Sequence, residues 1–268
     1  MYKRQPLMNT AIFAIIKKDF RSVTANRRLF ASLLIVPLVL TIVLPSVFVF
    51  LIHMTPDDPD IQSLLNLLPQ ASRSSSLELT VTGLIINHIL PVFFLIIPIM
   101  TASIMAASSF VGEKEKRTLE TLLYSPLTVG QIFRAKVLAS FLLSMMVSLI
   151  SFTAMTVVLE AEIFLLMGTL LLPGAAWIII LLLVAPAISL IAVTLIVRGS
   201  AKATTVEESQ QSAVFLILPL LLLLVGQFSG VLLLSGWILL ILGGVCALLA
   251  WLLLRKAAEK FTCERLLK

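Results

Sequence analysis

Hydrophobic residues in this chain come in long unbroken runs, not in strand-like alternation. Five stretches, 29–56, 79–112, 137–159, 163–197 and 209–254, contain no Asp, Glu, Lys or Arg. A helix needs about 20 apolar residues to cross the hydrocarbon of a bilayer. The first four runs therefore hold one crossing each. The last, 46 residues long, holds two joined by a tight turn near Ser235 and Gly236. This pattern predicts an all-α polytopic membrane protein with six transmembrane helices at 29–52, 86–110, 137–159, 175–197, 212–233 and 236–254, all within one domain spanning 1–268. The first run follows a charged 28-residue lead and exceeds the apolar core of a signal peptide, so it reads as a retained span. Pro37 and Pro45 should kink that span, and Pro91 and Pro98 interrupt the second. Residues 163–172 are apolar but too short to cross and are cut off by Pro173-Gly174, so they read as a re-entrant or interfacial piece.

Between the spans the pattern changes to helical amphipathicity. Over 10–28, Ile12, Phe13, Ile15, Ile16, Phe20 and Val23 fall within half of a helical wheel, and Lys17, Lys18, Arg21 and Arg28 take the other half. This predicts an N-terminal amphipathic helix lying in the membrane interface; the simpler alternative is a basic flank that only sets topology. Asp19 breaks the apolar arc for no reason visible in the sequence. The densest charged stretch, residues 112–126, reads G-E-K-E-K-R-T-L-E-T-L-L-Y-S-P. At helical spacing Glu113, Arg117 and Glu120 share one face, and Leu119, Leu122 and Leu123 form an apolar stripe on another. A two-faced helix hung between two spans is a handle on which something outside the membrane can pull. The plainer reading is a solvated loop with charge pairs worth about 0.2–0.5 kcal/mol each. The shared face of the three leucines favours the handle.

Composition agrees with a membrane location. The chain is 59% hydrophobic and 13% charged, with a mean hydropathy of +1.09. An even number of spans puts both termini on one side. If that side is the cytoplasm, 19 of the 20 Lys and Arg face inward, with Arg73 the exception. Asp57, Asp58, Asp60, Glu78, Glu160 and Glu162 then lie outside, which is a strong positive-inside signal. The net charge of +6 thus reports topology and not nucleic-acid binding.

Catalytic patterns are missing from the sequence. It has no G-x-x-x-x-G-K-[ST] phosphate loop and no H-E-x-x-H. Cys246 reads as a small apolar filler and Cys263 as part of the tail, so neither belongs to a disulfide framework. His53 and His88 flank the segment between spans one and two. They read as ordinary interfacial histidines, since no further ligand spacing supports a metal pair. The spans carry no ionisable group of the kind proton-coupled carriers place in the bilayer. Ser140, Ser144, Ser148 and Ser151 lie on one face of the third span. They either line a translocation path or let helices pack closely, and packing is the simpler reading. Gln227, deep in the last apolar run, faces a partner helix or a pathway.

With these features in hand, the chain resembles the permease subunits of ATP-binding-cassette exporters of the second type. The likeness rests on six spans, inward termini, an amphipathic lead helix, and residues 112–126, which are similar to the family's inner-loop pattern of glutamate and arginine followed by T-x-E-x-L-L and a proline. The resemblance implies that two permeases, identical or related, pair and that two copies of a separate ABC ATPase bind below them. ATP and magnesium then belong to the ATPase, and this chain holds no cofactor, no metal and no catalytic residue of its own. The segment 112–126 becomes the cytoplasmic coupling helix, with Glu113, Arg117 and Glu120 as its polar docking face and Leu119, Leu122 and Leu123 as its apolar one. The lead helix becomes a second contact. Here the outer ends of spans five and six meet in a tight turn, where the family has a re-entrant hairpin. The implied role is ATP-driven export of an amphipathic or hydrophobic substrate, such as a peptide, a drug-like molecule or a lipid-linked compound, across a bacterial or archaeal cell membrane. Membrane lipid is an expected partner and nucleic acid is not. The alternatives are a sodium-extruding permease of the same family and an ATP-independent carrier or channel.

Overall fold

The computed structural model describes residues 4–55, 59, 77–115, 118, 127–200, 203, 205–228 and 236–260. Among the described residues there is no strand. The amphipathic lead forms α1 (Arg4–Ala25), which ends at Asn26. Six helices long and apolar enough to cross a membrane follow: α2 (Leu29–Met54), α3 (Leu77–Glu115), α4 (Val129–Met167), α5 (Ala175–Gly199), α6 (Val206–Gln227) and α7 (Gly236–Glu259). The turn expected near Ser235 lies outside the described residues.

Two helices run well past the lengths expected from hydropathy. α3 continues through Glu115, and α4 spans 39 residues. Polar chemistry at the ends accounts for α4. The Thr128 side chain accepts from the Gln131 backbone at 3.4 Å, and the Gln131 side chain accepts from the Thr128 N–H at 2.9 Å. This reciprocal cap satisfies two orphan donors at the first turn. The other end stops at Gly168, whose φ of +68° is the left-handed geometry that glycine adopts without a Cβ penalty. Residues 163–167 therefore extend α4, where a separate outer piece was expected. Beyond Gly168, the Glu160 carboxylate holds the Leu171 N–H at 3.1 Å.

The prolines leave a repeated signature. Wide turns with i→i−5 geometry occupy Val39–Val43, Ile85–Ile89 and Ile180–Val184. Each ends two residues before a proline: Pro45, Pro91 and Pro186. A proline ring collides with the carbonyl four residues earlier, and widening the turn relieves that collision. At the second of these turns, carbonyls loosened in this way find other donors. Pro91 has no N–H for the Ile86 carbonyl five residues back, and Trp177 Nε1 on α5 donates to that carbonyl at 3.0 Å. One and two residues further on, Asn87 Oδ1 accepts from the Gly174 N–H at 2.7 Å, and Gln227 Nε2 on α6 donates to the His88 carbonyl at 2.9 Å. Each bond fastens α5, the residue before it, or α6 to the loosened turn of α3.

α3 is the centre of the bundle. Its span is 89% buried inside the protein, against 17% for α7, so the peripheral helices carry the lipid-facing surface. α3 packs on α4, α5 and α6. Phe94, Phe152 and Trp177 stack edge-to-face or tilted, with ring centroids 5.0–6.1 Å apart. Gly243 of α7 lies so close to α5 that a Cβ there would stand 2.6 Å from Leu183 Cδ2. Small residues of this kind let membrane helices approach.

Candidate functional site

Helix direction brings one set of polar residues together. α3 ends and α4 begins at the same end of the bundle, and α1 lies across both. On α3, Ser109 and Glu113 are four residues apart and face the same way. On α4, Lys136 sits two turns inside the capped start. On α1, Lys18 and Asp19 point toward them. These five residues form a charged junction linking the lead helix to the adjoining ends of spans two and three.

Its geometry is that of a satisfied network, buried except for Lys18, whose side chain is 51% exposed. Lys136 Nζ donates to Glu113 Oε2 at 2.7 Å and to the Ser109 carbonyl oxygen, and it stands 5.2 Å from the centre of the Phe110 ring. Lys18 Nζ takes the other Glu113 oxygen. Ser109 Oγ donates to Asp19 Oδ2 at 2.6 Å. Lys136, Asp19 and Glu113 are 2%, 3% and 6% exposed. Two lysines against two carboxylates leave the set formally neutral. Burial alone makes isolated charges intolerable, so this neutrality is what permits the cluster. Burial still pushes the Asp19 carboxyl above its ordinary range, against the opposing pull of Lys136 and the hydrogen bond from Ser109. The start of α6 docks on the adjoining end of α3, with the Val206 N–H 3.3 Å from Glu115 Oε2.

The residues singled out in the sequence fall in several places. Glu113 was expected on an open docking face beside Arg117. Instead it is buried and occupied by two lysines, because the helix of span two carries it into the junction. Thr118 closes the end of that helix, its N–H bonding the Glu113 carbonyl at 2.9 Å. Arg117, Leu119, Glu120, Leu122 and Leu123 lie outside the described residues. Ser140, Ser144, Ser148 and Ser151 are all buried. Ser144 Oγ lies 3.0 Å from both the Pro98 carbonyl and Thr101 Oγ1 on α3, and Ser140 Oγ bonds back to the Lys136 carbonyl. Gln227 is buried and tied to α3 through His88. His53 Nδ1 lies 3.2 Å from Glu78 Oε2, and the described residues contain no cluster of metal-ligating side chains.

Asp19, Ser109 and Lys136 were not anticipated as partners. The signal for one of them was present: Asp19 is a charge inside an apolar arc, and such a residue needs a buried counterpart. An apolar cavity of about 200 Å³ lies apart from the junction, between α2, α3 and α6, lined by Leu44, Phe48, Ile85, Ile89, Phe93 and Leu224.

The model of one protein family, described as ABC-2 family transporter protein, matches residues 13–239. No curated protein and no solved structure matches the chain. The matched stretch runs from the lead helix into the last span and contains the whole charged junction.

Proposed function

This chain belongs to the ABC-2 family of transporter proteins, and we propose that it is the membrane-spanning permease of an ATP-driven exporter. It is a multi-pass membrane subunit of an ABC transporter and not itself the ATPase. In the proposed cycle two such permeases, identical or related, pair above two ABC ATPase subunits, with both termini in the cytoplasm. ATP and magnesium act in the ATPase, whose closure pushes on residues 112–126, and spans two and three carry the motion to the pathway. The cargo is amphipathic or hydrophobic. The wholly apolar lining of the cavity between α2, α3 and α6 supports that class.

One observation carries this reading. The handle hangs directly from α3, and at its root the Glu113 carboxylate is gripped by Lys136 of span three and Lys18 of the lead helix. Separating the buried Glu113 and Lys136 would leave each charge unpaired, and α1 is tied to the same root by the buried bond between Asp19 and Ser109, since the Lys18 side chain is 51% exposed and adds little. A push on the handle therefore moves α1, α3 and α4 as one body instead of bending a loose loop.

The test separates the handle from its root. Arg117→Glu with Glu120→Arg reverses the outer charges and spares Glu113. In vesicles containing the permease and its ATPase, this double variant should lose substrate-stimulated ATP hydrolysis and transport while keeping the thermal midpoint of the parent. Unchanged hydrolysis and transport would remove the docking role. Uphill transport by vesicles lacking any ATPase would overturn the exporter reading as a whole.

A further inference from the structure

A second basic feature lies at the same end of the bundle, on a face of α4 other than the one that carries Lys136. α4 starts there, and α7 ends there after crossing in the opposite direction. Between them, with α5 as the floor, runs a groove of about 470 Å³ lined by Arg134, Leu138, Phe141, Leu190, Trp251 and Arg255, among others. Its polarity is graded along its length. The two arginines stand at the mouth, where α4 begins and α7 ends. One to two turns further into the bundle the walls are apolar.

Arg134 is exposed, and among the described residues no carboxylate pairs with it. Arg255 stands over the Trp251 ring, 5.7 Å from its centre. It reaches Glu259 through Nε alone, at 3.3 Å and with both side chains about two-thirds exposed, a geometry that holds little. Its terminal guanidinium nitrogens are not used in that bond. Among the described residues, and counting Glu259, the mouth keeps a net positive charge. Leu138 and Trp251 are 42% and 56% exposed, so the walls face outward. A guanidinium is suited to planar bidentate recognition of phosphate, and an indole at headgroup depth is suited to the membrane interface.

We propose that this groove is a binding site for an anionic glycerophospholipid of the leaflet at the basic end of the bundle. The phosphodiester and its charged headgroup sit between Arg134 and Arg255, and an acyl chain lies along Leu138, Phe141, Leu190 and Trp251. Basic pockets between spanning helices bind anionic headgroups in this way. A soluble anion would match the mouth but leave the apolar floor uncovered, and a zwitterionic lipid would match the floor but gain little at the mouth. Only the bilayer placement of α4, α5 and α7 is needed for this site, not the transport role.

Trp251 supplies the probe. The full chain carrying Trp237→Phe is reconstituted in phosphatidylcholine vesicles containing a small fraction of acyl-brominated phosphatidylglycerol or, in the other arm, acyl-brominated phosphatidylcholine. The same protein with Trp251→Phe gives the background from buried Trp177. Quenching assigned to Trp251 should show about a tenfold preference for the anionic lipid at low salt, shrinking as salt rises, and Arg134→Gln with Arg255→Gln should bring the preference to about one. Arg134→Lys with Arg255→Lys should keep part of it. Equal quenching by both lipids, or a preference that survives in the glutamine variant, overturns the site. So does displacement by glycerol phosphate or inorganic phosphate at millimolar concentration, which would mark a site for the free anion. Absence of quenching by either lipid also overturns it, since the groove would then be covered by protein.

Discussion

Ser109 Oγ donates a hydrogen bond to the Asp19 carboxylate across 2.6 Å, joining residues 90 positions apart in the chain. One side of that bond belongs to a helix lying before the first span, and the other to the most deeply buried span in the bundle. A buried carboxylate that loses its hydrogen-bond donor bears a desolvation cost of about 1–3 kcal/mol. Ser109→Ala should therefore loosen α1 while leaving the six spans assembled. Hydrogen exchange at the amides around Lys18 and Asp19 should speed up markedly, with little change in α5 or α7. Uniform exchange across the protein would show that the bond holds nothing in particular.

The charge balance of the junction yields a sharper expectation. Lys136→Met leaves Asp19 and Glu113 facing only Lys18, and removing one partner of a buried network costs about 3–5 kcal/mol. Adding Glu113→Gln restores balance, one lysine against one carboxylate. The double variant should regain a large part of the thermal midpoint lost by Lys136→Met alone in detergent. If the two losses simply add, the residues do not act as a pair.

Asp19 also gives the junction a pH dependence with a defined sign. Its carboxyl titrates above the ordinary value of 3.8 in the folded protein, chiefly through burial. Relative to the unfolded chain, the fold thus favours the protonated form. Below 3.8 the group is protonated in both folded and unfolded chains and exacts no electrostatic cost. As pH rises through 3.8 toward the raised folded value, relative stability is lost, and the loss persists above it. Lys18, Glu113 and Lys136 face the same carboxyl, so the clean measure is a difference. The stability of the parent minus that of Asp19→Asn should fall as pH rises across the acid range and then level off. A difference that climbs with pH would mean that the lysines outweigh burial.

The spans were legible because the absence of charge over 20 or more residues admits few readings in a chain this apolar. Their ends were less so, since the length of α4 depends on the Thr128 and Gln131 cap and on the positive φ of Gly168, not on hydropathy. The junction was mostly hidden. Lys136 stands at the edge of a charge-free run and looks like a flanking residue, and Ser109 looks like one more small packing residue. Glu113 was misplaced for a specific reason. Its spacing to Arg117 fits a surface pair on a helix, while its spacing to Ser109 fits the buried face of the same helix. Periodicity alone does not choose between them, and Lys136, 23 positions away in sequence, decides the matter in space.

The approach of α7 to α5 provides a test with its own control. At Gly243 a Cβ would stand 2.6 Å from Leu183 Cδ2, 2.8 Å from Leu183 Cγ and 3.2 Å from Val184 Cγ2, whereas at Gly244 nothing lies within 4 Å. A Cβ at the first position would push α7 away from α5 along the seam where both helices bury their apolar faces, and overpacking of this kind costs about 1–3 kcal/mol. At the second position the methyl group would enter open space and improve helix propensity slightly. Gly243→Ala should therefore lower the thermal midpoint of the purified protein by several degrees, and Gly244→Ala should leave it unchanged or raise it. Leu183→Ala in the Gly243→Ala background should recover part of the loss, because it removes both Leu183 atoms that the new Cβ strikes. If the two glycine variants behave alike, α5 and α7 do not touch at this seam.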